Sequence, residues 1–260
     1  MSRVLWAEAL VPANDATPQS LSPEIYGEFG IHIPATFPLM MANTDIPLPD
    51  GRAYRSMSRA AVLMSAVCLK AESVLAPYLA QDPFSVGLYC AVDNGPTDYP
   101  STRELNSVSR EEFAERYRKL RNPKTYLKQL PNLAAAQIGI FLKIQGLMNV
   151  YTHSLMAGWQ SLEQAELDLD SGLVKAALVC TGFSFEDALE TLRSYRQTPK
   201  GLILSEGAGA MVLVRDGKRT AWKPNSLSDP PAGHSTPTGR FYGIGNPVIN
   251  LALRSTNHGK

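Results

Sequence analysis

Three continuous apolar runs constrain the fold of this chain more than any other feature. They are Phe84–Val92, Val174–Cys180 and Ala208–Val214, and each has the length of a strand. Stretches with helical periodicity lie between them. Strands that are apolar throughout belong to sheets that helices cover on both faces. The sequence therefore predicts an α/β fold.

The N-terminal part predicts a strand, a long loop and a helix. Residues 3–10 have the pattern of a short strand, and residues 11–53 are rich in Pro, Asn, Asp and Gly, which is typical of a loop region. Helical spacing of apolar residues follows from Ser56 to Ala76. We expect Pro77 to end this helix, because proline cannot continue the backbone hydrogen-bond ladder.

Three more helices are predicted further along the chain. Ser109 is expected to cap a helix that ends near Leu120. A second helix is expected over Asn132–Gln145 and a third over Leu155–Asp170. For the second, the residues on one apolar face are Leu133, Ala136, Gln137, Ile140 and Ile144. For the third, the residues expected inside are Leu155, Trp159, Leu162, Ala165 and Leu169, and those outside are Glu163, Glu166, Asp168 and Asp170.

Composition excludes several classes of function. The chain has 25 basic and 24 acidic residues among 260, and without a basic block it predicts no nucleic-acid partner. No apolar run reaches the roughly 20 residues of a membrane span, and the N-terminus lacks the pattern of a signal peptide. Cys68, Cys90 and Cys180 lie in apolar runs without zinc spacing, so we expect buried free thiols in the cytoplasm, no metal site and no cofactor.

Residues 132–182 contain a pattern that is typical of acyl-transfer enzymes. A helix is followed by Gly146, a short strand candidate at Asn149–His153, a sharp turn into an amphipathic helix, Gly172 and a buried strand. A turn of this kind places one side chain at a helix N-terminus. There the helix dipole and free backbone N–H groups lower the pKa of a thiol and stabilise an oxyanion.

This stretch resembles the nucleophile region of β-ketoacyl synthases, which have the thiolase fold. The matching residues, aligned without a gap, are Asn132, Ala135, Ile138, Gly146, Gly158, Ser161, Leu162, Ala165 and Gly172. A second match, Leu204–Val214 (LSEGAGAMVLV), resembles the turn that leads into a later strand of the family. Ser58–Leu75 looks like the family's first long helix. The resemblance implies a thiolase-like half, with a mixed sheet covered by helices on both faces.

The same alignment places Leu155 at the position of the family's nucleophilic cysteine. A leucine side chain can neither attack a thioester nor carry an acyl group. The family's two catalytic histidines come from a C-terminal half that has no counterpart in residues 1–260, and the four histidines of the chain do not match them. We therefore expect no catalytic residues. We divide the chain into a ketosynthase-like domain, 1–221, and a Pro/Gly/Ser-rich linker with a docking segment, 222–260.

The resemblance implies a partner subunit. The chain looks most like a chain-length factor of a type II polyketide or fatty-acid system, in particular the short ones of aryl-polyene clusters. Such a factor pairs with an active β-ketoacyl synthase and meets an acyl carrier protein through that complex. By the same resemblance, helices within 109–145 face the acyl tunnel of the partner. The candidate residues for this tunnel and interface are Phe113, Tyr117, Leu133, Gln137 and Phe141.

Two other functions remain open from the sequence. The first is a thioesterase or acyl transferase that uses Ser154 as a substitute nucleophile and His153 as its base. Strand geometry speaks against it, because neighbouring residues of a strand point to opposite faces. The other is a homodimeric acyl-binding scaffold. The pair Phe113 and Tyr117 also has a purely structural interpretation, since aromatic residues four apart on a helix are typical of a core stripe.

Overall fold

A five-stranded mixed sheet lies at the centre of the fold. Its strands are β1 (Ser2–Leu10), β3 (Val86–Ala91), β4 (Met148–Tyr151), β5 (Ala176–Phe183) and β7 (Gly207–Arg215). Their order across the sheet is β1-β7-β5-β3-β4. Strands β3, β4 and β5 are parallel to one another, and β7 is antiparallel to both β1 and β5. The computed structural model describes residues 2–21, 32–152, 156–215 and 239–257.

A second, smaller sheet joins distant parts of the chain. It contains β2 (Thr36–Phe37), β6 (Ile203–Ser205) and β8 (Arg240–Phe241), all parallel. The predicted loop over residues 11–53 therefore contributes a strand in its described part; residues 22–31 lie outside the described residues.

Helices cover both faces of the large sheet, as the sequence predicts. In chain order, the helices of the described residues are α1 (Arg59–Leu69), α2 (Glu72–Gln81), α3 (Tyr99–Asn106), α4 (Arg110–Leu120), α5 (Pro123–Gln129), α6 (Pro131–Leu142), α7 (Ala157–Ser171), α8 (Ala188–Gln197) and α9 (Asn246–Asn257). One face packs against α1 and α6, and the other against α7 and α9.

Alternation along each strand divides the core between these two faces. In β3, Leu88 and Cys90 point toward α1 and α6, whereas Tyr89 points toward α7. Successive side chains of a strand leave the sheet on opposite sides, so a strand buried on both sides must be apolar throughout. The three predicted strands obey this rule, which is why the apolar runs identified them.

The predicted end of the first helix is wrong. The helix breaks at Lys70–Ala71, where the Lys70 N–H bonds the Val67 and Cys68 carbonyls, and α2 then continues through Pro77. The axes of α1 and α2 are bent by 74°. Proline here removes one hydrogen bond, and the bend lets α1 lie on the sheet while Leu75 still reaches the core.

Two predicted helix faces also need correction. On α6 the buried residues are Ala134, Ala135, Ile138, Gly139 and Leu142. Of the predicted stripe only Ile144, just after the helix, is buried; Leu133, Ala136 and Gln137 are partly exposed and Ile140 is 67% exposed. Small residues let α6 approach α1 closely, which a rule that counts large apolar residues misses. On α7, Asp168 is buried instead of exposed, because the Tyr89 hydroxyl and the Gln164 amide both donate to it.

The C-terminal helix packs on the same chain. Val248, Ile249 and Ala252 of α9 are completely buried, and α9 lies against β1, β7 and α7. Within the described ranges no single helix is long and apolar enough to cross a membrane. The bent pair of α1 and α2 reaches the required length and composition only when the two helices are taken together.

Candidate functional site

The predicted strand-to-helix turn connects the edge strand β4 to α7. Strand β4 ends at Tyr151 and α7 begins at Ala157. The three candidate residues of the turn, His153, Ser154 and Leu155, lie outside the described residues. The described elements on either side are the carboxyl end of β4 and the first turn of α7.

The crevice at this end of the sheet is filled by the protein itself. Open α/β sheets commonly bind their ligands beyond the carboxyl ends of the strands. Here an apolar cluster occupies that place, and the residues after Gly239 contribute Phe241 and Ile244 to it. The other buried members of the cluster are Ala91, Ala157, Phe183 and Leu204.

Three glycines, on α7 and β7, allow the C-terminal segment Arg240–Asn257 to pack closely against the rest of the fold. A Cβ atom on Gly158 would lie 3.0 Å from the Pro247 ring, and one on Gly209 would lie 3.0 Å from the Ile249 Cα atom. Gly207 similarly makes room for Tyr242, which is fully buried. These three glycines include positions that match the ketosynthase pattern. In this chain they let its own C-terminal segment pack closely.

The segment also closes over the end of β5. Gly243 has φ +50°, and a Cβ atom there would lie 2.6 Å from the Phe183 ring. A Cβ atom on Gly245 would lie 2.8 Å from Thr181 Oγ1, whose hydroxyl donates to the Ala91 carbonyl at 2.6 Å. Only glycine fits both positions. This contact was not predicted, although the Gly-x-Gly spacing of residues 243–245 is a signal for it.

A buried tyrosine–aspartate pair supports α7 below the turn. The Tyr89 hydroxyl donates to Asp168 Oδ2 at 2.7 Å. Burial and, second, this hydrogen bond raise the pKa of Tyr89 far above its usual value. Burial also raises the pKa of Tyr151 at the end of β4, with smaller contributions from Asp168 and Glu163. Both phenols therefore stay neutral and act as hydrogen-bonding and packing groups.

A buried ion pair fixes the loops on the other side of the crevice. Glu206 is almost fully buried and accepts from Arg59 Nε at 2.9 Å and Arg59 Nη2 at 3.0 Å. It also accepts from the backbone N–H groups of Leu39 (2.8 Å) and Phe185 (3.0 Å). The acidic residue of the LSEGAGA match is thus a structural anchor that joins α1, β7 and two loops.

The three cysteines meet under α1, as buried free thiols. Cys90 and Cys180 are register partners on β3 and β5, with Sγ atoms 3.4 Å apart, and Cys68 of α1 lies beside Cys180. The pKa of Cys90 is raised by its hydrogen bond with Cys180 and by burial, and that of Cys180 chiefly by burial. In the described part of the chain no three His, Cys, Asp or Glu side chains are grouped to hold a metal.

The structure places Phe113 and Tyr117 on a helical arm, which we define as Tyr99–Gln129 (α3, α4 and α5). Their rings stack at 6.2 Å with an angle of 4° and are 46% and 48% exposed. The core interpretation of this pair is therefore wrong. No residue of the arm is buried, and α4 packs against α3, to which Arg116 and Glu104 join it by an ion pair.

The other three candidates lie together on one side of α6. Leu133, Gln137 and Phe141 follow at intervals of four residues and are partly exposed. The structure thus brings the candidates into two groups, one on the arm and one on α6. How they contact a partner stays a prediction.

An exposed apolar surface around β4, the β4 surface, was not predicted. Its members lie on or next to β4, on α6 and at the start of β3, and they are Phe84, Ile140, Leu147 and Met148. Leu173 is exposed as well, but it precedes β5, two strands away from β4. Among the described strands, none pairs with the outer side of β4. The signal in the sequence was an apolar residue just before each of two strands, since parallel strands begin at the same end of a sheet.

Among known proteins, similarity to this chain was found in solved structures and not in sequence comparisons. No protein-family model matches the chain, and no curated protein matches it by sequence. A β-ketoacyl synthase from Burkholderia phymatum STM815 superposes with a TM-score of 0.58 at 15% identity, over 83% of this chain and 59% of that one. The complex of the ketosynthase ApeO with its chain length factor ApeC from Xenorhabdus doucetiae gives 0.58 at 12% identity, over 84% and 58%.

A third structure has the same fold. It is the AntDE:AntF complex, a type II polyketide acyl-carrier protein with its ketosynthase, with a TM-score of 0.59 at 16% identity, over 82% of this chain and 62% of that one. This chain therefore has the thiolase-like fold of ketosynthases. More particularly, its fold is of the type shared by ketosynthases and chain length factors. It spans about 60% of the length of these structures.

Proposed function

We propose that this chain is a non-catalytic ketosynthase-like subunit, a chain-length factor, which pairs with an active β-ketoacyl synthase in the cytoplasm. In this role it stabilises the synthase and helps to shape its acyl tunnel, and it meets an acyl carrier protein through the complex. A biosynthesis of the aryl-polyene type is the process we propose. Structures of ketosynthase–chain length factor complexes share its fold, which supports the proposal.

The observation that carries the proposal is the open, apolar edge of the sheet at β4. Leu88 N–H bonds the Leu147 carbonyl and Val92 N–H bonds the Tyr151 carbonyl. By alternation, the backbone groups of Met148 and Val150 point away from β3. Exposed edges with apolar surroundings are liabilities for a protein on its own and are suited to pairing with another chain.

The helical arm supports a role in shaping a partner's cavity. It consists of three helices with well-formed caps, in which Asp98, Ser109 and Asn122 accept backbone N–H groups, yet it buries no side chain. Isolated helices of this length are marginal in water. A defined arm with a stacked aromatic pair and no core of its own is suited to packing against another protein.

Two observations favour a non-catalytic role. The residue at the position of the family's nucleophile is Leu155, which has no nucleophilic atom. The crevice beside the first turn of α7 is filled by Phe241 and Ile244 of the same chain. An acyl group bound in this crevice would have to displace the packed segment.

Pairing through β4 is tested with Val150→Pro, and Val150→Ala serves as the matched control. Proline removes a backbone N–H that points away from β3, so the ladder within the chain is kept. The chain and its variants are co-expressed with the β-ketoacyl synthase encoded nearest to it in the genome, and the complex is measured by light scattering. We expect a one-to-one complex with the original chain and Val150→Ala, and at least a tenfold loss of affinity with Val150→Pro.

A chain that stays monomeric or homodimeric beside that synthase contradicts the proposal, and a homodimer favours a scaffold instead. The non-catalytic role has its own test in the complex. Ser154→Ala is expected to leave product formation unchanged, because the partner supplies the nucleophile. Loss of product together with an acyl adduct on Ser154 in the original chain would favour an acyl transferase.

A further inference from the structure

The helical arm depends on polar contacts at its root, because it has no core of its own. On its N-terminal side, the Thr97 N–H and hydroxyl donate to Asp187 Oδ2 at 2.8 and 3.2 Å. On its C-terminal side, Lys128 Nζ lies 3.5 Å from Glu186 Oε1. Both sides of the root are therefore tied to one short stretch of chain, at the start of α8.

Two carboxyl groups meet at the same root. Arg193 Nη1 lies 2.8 Å from Glu190 Oε2 and 3.4 Å from Asp93 Oδ2. The Ser194 hydroxyl donates to Glu190 Oε1 at 3.0 Å. The Glu190 side chain is only 8% exposed and that of Asp93 10%, whereas Arg193 is half exposed. Two buried carboxylates with one solvated guanidinium between them repel each other unless one carries a proton.

We propose that Asp93, Glu190 and Arg193 form a proton-dependent clasp that fixes the orientation of the helical arm. In the closed state Glu190 carries a proton, and Arg193 balances the charge that remains. Loss of the proton leaves two adjacent carboxylates, which push the loop at Asp93 away from α8. Only the consequence for partner binding rests on the proposed function; the clasp itself is a property of this chain.

The raised pKa of Glu190 supports this assignment. Burial, and second the hydrogen bond to Asp93, raise the pKa of Glu190 to about 8, against the opposing effects of Arg193 and Ser194. A raised carboxyl pKa means that the stabilisation is present at low pH and is lost as the pH rises through about 8. The other charged groups at this root are Asp187, which caps α8, and the Glu186–Lys128 pair.

The clasp is tested on the full chain by measuring the distance between two spin labels. One label is attached at Tyr117→Cys on the arm and the other at Ser73→Cys on α2, both exposed positions. The three native cysteines are buried, so they do not compete for the label. We expect a narrow distance distribution at pH 6.5 that broadens at least twofold by pH 9.5, with a midpoint near the pKa of about 8 of Glu190.

Glu190→Gln distinguishes the clasp from a merely structural role. The amide keeps a donor in place of the carboxyl proton, so we expect a narrow distribution at both pH values, and the same for Asp93→Asn. Glu115→Gln, at an exposed ion pair 2.6 Å from Lys119 on the arm, is the matched control and should behave like the original chain. An original chain whose distribution does not change with pH, or both amide variants still broadening, overturns the clasp. Neither result affects pairing through β4, which the Val150 variants test separately.

Discussion

The buried ion pair between Glu206 and Arg59 gives the sharpest test of what holds the fold together. Four donors converge on the Glu206 carboxylate: two from Arg59 and the backbone N–H groups of Leu39 and Phe185. Glu206→Gln keeps the volume and removes the charge. The new amide has one acceptor oxygen and an NH₂ group that itself faces donors.

The size of the effect follows from burial. The Glu206 side chain is 3% exposed and that of Arg59 17%, so solvent cannot replace the lost contacts. Breaking a buried pair by neutralising one partner costs about 3–5 kcal/mol, because the other charge loses its counter-ion. Arg59 keeps its hydrogen bonds to Met41, Asn43 and Leu39, but these acceptors carry no negative charge. We expect a loss of about 4 kcal/mol in the free energy of unfolding, a large share of the roughly 5–15 kcal/mol of a typical domain.

The measurement is urea unfolding followed by circular dichroism on the full chain. The control is Glu115→Gln, which removes a carboxylate from an ion pair that is 65–70% exposed and should cost about 0.5 kcal/mol or less. If the two variants differ by less than about 1 kcal/mol, the reasoning that burial makes Glu206 an anchor is refuted.

Two further variants test close contacts. Gly95→Ala would place a Cβ atom 1.6 Å from the Lys128 carbonyl oxygen, so we expect the root of the arm to detach. The expected result is faster proteolysis within the arm, while the circular dichroism signal of the sheet is kept. Unchanged proteolysis would contradict this expectation. Tyr89→Phe removes the hydroxyl that donates to Asp168, so a buried carboxylate loses a donor. We expect the free energy of unfolding, measured in urea, to fall by about 1–3 kcal/mol. A fall of less than about 0.5 kcal/mol would show that Asp168 finds another partner.

Short-range sequence patterns predicted helices and strands correctly where a pattern corresponds to a single local structure, as a helix cap does. Ser109 caps α4 and its hydroxyl accepts the Glu112 N–H, as the spacing indicates. The pattern failed where tertiary contacts decide. Pro77 lies inside α2, and the buried side of α6 consists largely of small residues, because close packing against α1 matters more there than hydrophobicity.

The candidate site divides in the same way. The pattern of the amphipathic helix predicts that Asp168 faces solvent. Its burial becomes favourable only because Tyr89 on β3 donates a hydrogen bond to it. The pattern of Phe113 and Tyr117 is also typical of core residues, yet both side chains are about half exposed in the described part of the chain. A pattern within one helix states which residues share a face. It does not state what packs on that face.

By itself, the sequence determined the α/β class, the three buried strands and the cap of α4. These are local properties, because strand burial and helix capping depend on residues that are close together in the sequence. The assignment of Leu155 to a nucleophile position stays a prediction. The tertiary structure alone decided that the C-terminal segment fills the crevice, that β4 is an open apolar edge, and that Asp93 and Glu190 meet although 97 residues separate them. Each of those results depends on contacts between distant parts of the chain, which only packing brings together.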